Sequence, residues 1–118
     1  MKRLFLVLLT CAAPALAQAE TESGTGAEIR ILDGLRGTSE TISLLVGERH
    51  IEGKISIELL ECRFPKDAIG TDAFAHLKIQ DLREEEPRFS GWMIASSPAL
   101  SALEHARYDV WVIRCSQS

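Results

Sequence analysis

Ser96, Ser97, His105 and Asp109 lie close together along the chain. They are the residue types of nucleophilic hydrolysis: a serine to attack, an imidazole to take its proton, a carboxylate to orient the imidazole. Such a site needs the base within hydrogen-bond reach of the serine and an oxyanion hole nearby, and no G-x-S-x-G elbow is present. A plainer reading accounts for the same residues. Ser97 caps a short helix, His105 sits near the C-terminus of that helix where partial positive charge is favoured, and Asp109 opens a strand.

Other groupings are thinner. His50, His76 and His105 could ligate a metal, but they fall on three different elements with no paired spacing, so surface or partner-facing histidines are expected and no metal. Glu84, Glu85 and Glu86 are carboxylates of the kind a glycosidase uses, yet they share one turn before Pro87 and read as a solvated loop. No cofactor motif is present. Trp92 and Trp111 could form a stacking platform for a sugar ring or a partner groove. Trp111 shares its parity with Ile113 and Cys115 and is expected in the core. Trp92 follows Gly91, which removes a side chain and permits close approach by another chain. The residues worth testing as a binding surface are therefore Trp92, Met93, Ser96, Ser97, His105, Tyr108 and Asp109.

The compartment is read from the front of the chain. Met1, Lys2 and Arg3 are followed by an apolar run and a small-residue stretch, the layout of a secretory signal peptide over residues 1–19. Ala17-Gln18-Ala19 is the sharpest cleavage site, with Ala15-Leu16-Ala17 second. The apolar run is far shorter than the ~20 residues a spanning helix needs. Leu8-Leu9-Thr10-Cys11 resembles a lipobox, though Thr10 fits it poorly, and Cys11 is expected to be discarded with the leader rather than to carry lipid.

Export leaves two cysteines, Cys62 and Cys115. In an oxidising compartment an even pair is expected to be a disulfide, since no C-x-x-C spacing is present to lower a thiol pKa. Loss of residues 1–19 removes Lys2 and Arg3 and no acidic residue. It leaves 11 basic and 17 acidic side chains, a formal charge of −6 with neutral histidines. An acidic domain does not neutralise phosphates, which argues against nucleic acid and anionic lipid surfaces as partners. What remains suits one domain with one core.

Residues 20–27 are small and polar and read as a flexible segment. Strands are expected over 28–32, 41–46 and 54–59. After Leu59 the apolar parity changes: Leu60, Cys62 and Phe64 alternate out of step with Ile55, Ile57 and Leu59. A β-bulge near Leu59-Leu60 would produce this and turn Cys62 towards the core. Residues 65–72 form a loop. The stretch 73–81 alternates again, with Ala75, Leu77 and Ile79 on one face and Phe74, His76 and Lys78 on the other. Strands follow over 89–95 and 108–115, separated by a short helix near 98–105 that would bury Leu100 and Leu103. About six strands with short turns make an all-β chain, mainly antiparallel, folded as a small sandwich or barrel. The disulfide would join its third strand to its last.

The run 89–112, reading FSGWMIASSPALSALEHARYDVWV, is distinctive. With Ile31-Leu32-Asp33, Val46-Gly47-Glu48 and Glu61-Cys62-Arg63, it resembles the family of uncharacterised alphaproteobacterial proteins known as DUF2155. The resemblance covers a single domain over 28–116. That family often has Pro after the His, where this chain has Ala106. The resemblance implies an exported disulfide domain and supplies no activity, cofactor or catalytic residue. The expected function is accordingly a non-enzymatic periplasmic module that binds an envelope protein or envelope component. A serine hydrolase using Ser96 or Ser97 with His105, or a structural subunit of an envelope complex, are the alternatives.

Overall fold

The computed structural model describes residues 20–117. The signal-peptide and Cys11 expectations lie outside the described residues. Eight strands appear among them: β1 (Thr21–Ser23), β2 (Gly26–Asp33), β3 (Thr38–Leu45), β4 (Arg49–Glu52), β5 (Ile55–Pro65), β6 (Phe74–Asp81), β7 (Phe89–Ile94) and β8 (Tyr108–Ser116). All named pairings are antiparallel. The larger sheet runs β1-β5-β6-β7, with β4 also on β5; the smaller runs β3-β2-β8. β1 and β4 share one edge of β5, β4 against its first residues and β1 against its last.

The two sheets close on one core, as alternation with one apolar face requires. The smaller sheet contributes Ala27, Ile29 and Ile31 from β2 with Val110 and Val112 from β8. The larger contributes Ile57 and Leu59, then Ala75, Leu77 and Ile79, and Met93. The expected inward set of the 73–81 strand is thus the observed one. Cys62 of β5 and Cys115 of β8 are disulfide-bonded across the core, Cα to Cα 5.8 Å, one sheet to the other.

The bulge expected near Leu59-Leu60 is present. Leu59 pairs with Leu77 and Glu61 with His76, so Leu60 is the extra residue. Two consecutive side chains, Leu60 and Glu61, then reach the outside, while Leu59 and Cys62 are both fully buried. A second bulge was not foreseen. Ile29 pairs with Val112 but Glu28 with Arg114, so Ile113 is extra in β8.

Four expectations are corrected. Residues 20–27 supply β1 and the first residues of β2 rather than a flexible leader; Arg63 holds β1 by hydrogen bonds to Thr21 and Ser23. The helix is a single 3-10 turn, Pro98–Leu100, with no side-chain bond from Ser97 to its N-terminus. Leu100 is 77 % exposed while Leu103 is buried. Trp111 is not core: the β8 bulge makes Val112 and Cys115 both inward, so counting back by twos from Cys115 selects the wrong face.

Candidate functional site

The residues singled out between Trp92 and Asp109 do not form one surface. Met93 and Tyr108 are 1 % exposed and belong to the core. The His105 side chain is 3 % exposed. Trp92, Ser96 and Asp109 reach solvent, and Ser97 is half-buried.

The hydrolase geometry does not assemble. Ser96 Oγ donates to Asp72 Oδ2 at 2.8 Å, and Ser96 N–H donates to Oδ1 of the same carboxylate at 3.0 Å. Burial pushes Asp72 up, but hydrogen bonds from Ser96 and the Ala73 N–H outweigh it and hold the carboxyl below its usual range. His105 has no capacity left for a serine. Its Nδ1 accepts from the N–H groups of Arg107 and Tyr108 at 3.0 and 3.3 Å. The proton therefore sits on Nε2, which donates to Asp81 Oδ2 at 2.9 Å.

His105 instead belongs to a polar clasp at one end of the sandwich. Asp81 ends β6 and is fully buried. Its carboxylate takes both arms of the Arg83 guanidinium at 2.9 and 2.7 Å as well as His105, and Arg83 first, then His105, holds it far below the ordinary carboxylate range. Asp33 ends β2 in the other sheet and is held by Arg107 through two bonds of 3.0 Å, which lower it to about 2. Arg107 lies 4.9 Å from the Tyr108 ring centre, and Tyr108 Oη accepts the Lys54 N–H at the mouth of β5. Gly53 leaves room for that hydroxyl: a methyl group there would sit 2.3 Å from Tyr108 Oη. The run 105–108 thus straps the ends of both sheets together. The sequence carried a sign of this, because Asp33 and Asp81 continue the inward parity of Ile29-Ile31 and Leu77-Ile79.

The three histidines go to three places. His50 pairs with Glu52 at 2.9 Å, His105 with Asp81, and His76 stacks on Trp92. No group of three potential metal ligands occurs among the described residues.

The outer face of the larger sheet has a different character. His76 and Trp92 are cross-strand partners on β6 and β7, their ring centres 5.0 Å apart and their planes inclined by 20°. Trp92 remains 39 % exposed. β7 is the last strand of its sheet, so His76 supports one face of the indole and the other is turned towards the sheet edge. Glu61 and the bulged Leu60 lie on the far side of His76, and Phe74 and Ile94 form the adjacent cross-strand pair. Trp111 occupies the opposite outer face of the molecule, beside Arg30 in the register of β2 and β8.

No solved structure matches the chain. It is 34 % identical over 100 residues to an uncharacterized protein of Rickettsia prowazekii (strain Madrid E), a match covering 82 % of this chain and 64 % of that protein. The chain therefore spans less than two thirds of the length of that relative. Residues 27–115, which include both cysteines, the clasp and the Trp92 face, match the family described as "Uncharacterized protein conserved in bacteria (DUF2155)", and the chain belongs to that family.

Proposed function

We propose that this chain is an exported, non-enzymatic binding module that docks onto another protein of the cell envelope through the outer face of its larger sheet. The observation that carries the reading is the placement of Trp92. A tryptophan left 39 % exposed on a histidine, rather than packed in the core, presents rigid amphipathic area at little cost in conformational entropy. Leu60, Phe74 and Ile94 extend the patch with apolar surface, and Glu61 edges it with charge. The inter-sheet disulfide fits an extracytoplasmic site, and no helix among the described residues is long and apolar enough to cross a membrane.

The test is a photo-crosslinking amino acid placed at position 92 in cells, with position 114 on the opposite sheet as control. A discrete adduct from 92 and none from 114 is expected. Affinity for the captured partner should fall about thirtyfold in Trp92→Ala, while stability changes by about 1 kcal/mol or less. Equal labelling from both positions would sink the reading.

A further inference from the structure

A second surface points to a partner of a different kind. β3 is an edge strand eight residues long, paired with β2 without a break in register. Its sequence, TSETISLL, holds no proline, no lysine or arginine, and one charge, Glu40. Edges are ordinarily blunted by shortness, bulges, proline or lysine. β1 and β4 are three and four residues long, β7 is six residues with a glycine within it, and β8 carries a bulge. β3 has none of these protections.

The backbone shows what the edge offers. Val46 N–H donates to Thr25 O, across from β3, whereas Leu45 N–H turns away and meets Glu48 Oε1 at 3.0 Å. Alternation then aims the N–H and C=O groups of Ser43, Thr41 and Ser39 outward. The ends of the strand complement each other. At its start the turn carries exposed Leu35, 76 % accessible, and exposed Arg36; at its finish stand Leu45 and Val46, 57 % and 42 % accessible, and exposed Glu48.

We propose that two copies of this chain pair antiparallel through β3, about a two-fold axis at Ile42, joining two three-stranded sheets into one of six strands. That axis sets the outward pair Thr41 and Ser43 against Ser43 and Thr41 of the second copy. It brings each copy's exposed turn, with Leu35 and Arg36, to the Leu45–Glu48 end of the other, where cation and carboxylate are of opposite charge. No like charges face each other, since Glu40 meets Leu44. The pairing is isologous and closed, so it stops at two. This surface is separate from the Trp92 face and holds or fails independently of the docking reading.

Sedimentation equilibrium of the oxidised protein from about 1 μM to about 1 mM tests it. Wild type should pass from monomer to dimer and no further. Thr41→Pro removes an outward N–H and no backbone bond to β2, only the 3.5 Å contact of Arg30 Nη1 with Thr41 Oγ1, and should leave a folded monomer. Arg36→Glu, on an exposed turn, should weaken the dimer on the order of tenfold with unchanged thermal stability. A wild type that stays monomeric throughout overturns the proposal, even if the same edge captures a strand of another protein. Growth beyond the dimer, or a dimer indifferent to both substitutions, overturns it as well.

Discussion

At the scale of single residues, the chemistry of this chain is spent on structure. His105 shows it: both ring nitrogens are committed, one to two backbone N–H groups and one to Asp81. The paired aspartates set the response to acid. Asp33 lies at about 2 against an ordinary 3.8, and Asp81 is displaced further in the same direction. A depressed carboxylate stabilises the fold fully above its unfolded value and loses that contribution as pH falls through its folded value. The urea midpoint should therefore drop as pH is lowered from about 4 towards about 2. Arg107→Ala returns Asp33 towards its ordinary range and should shrink that drop; an undiminished drop would show that Asp33 has no part in it. His105 was visible as a chemical residue in the sequence, but its partner was not. Asp81 is distant along the chain; its inward parity and its place at the strand end are local, but nothing local places a strap from residues 105–108 above it.

Among the elements, β5 was the most legible. Its apolar parity changes between Leu59 and Cys62, and the bulge sits there. The β8 bulge was illegible because Ile113 and Arg114 carry no glycine or turn residue to mark the extra position, so Trp111 was assigned to the wrong face. β1 and β4 were missed for another reason: at three and four residues, both pair on β5 and neither is long enough to show a period of its own. The short helix shrank to one turn because the strap spends that stretch on reaching Asp81 and Asp33. The β5 bulge also makes a test. Deleting Leu60 restores regular alternation with Leu59 and Cys62 still inward, so the disulfide should form and a thiol assay should find no free cysteine. The same deletion at Ile57 puts the two halves of β5 out of step, driving Ile55 or Cys62 outward or Glu58 inward, and free thiols should appear. Free thiols in the Leu60 deletion would mean that the bulge residue is needed to position Cys62.

For the whole molecule, the disulfide is a covalent tie between sheets that are also joined by the connecting segments, side-chain packing and the clasp. Closing a loop across a sequence separation of 53 contributes about 4 kcal/mol in the chain-entropy account. Replacing both cysteines with alanine should lower unfolding free energy by about that amount in a denaturant titration; a loss below about 1 kcal/mol would place the stabilisation in packing instead. The all-β class was readable because alternation survives any topology, and the Cys62–Cys115 pairing because it is the pair that remains when Cys11 is assigned to a leader. Which face would be left open was not readable, since it depends on the order of strands in each sheet. That order has a consequence in time. β2, near the start, cannot complete its sheet until β8 arrives, for Gly26 pairs with Ser116. The same late strand brings the second cysteine. A chain interrupted before residue 115 therefore carries an unmated thiol at Cys62 and an apolar hairpin with no cover, two flags by which proteases and thiol oxidases can tell an unfinished copy from a finished one.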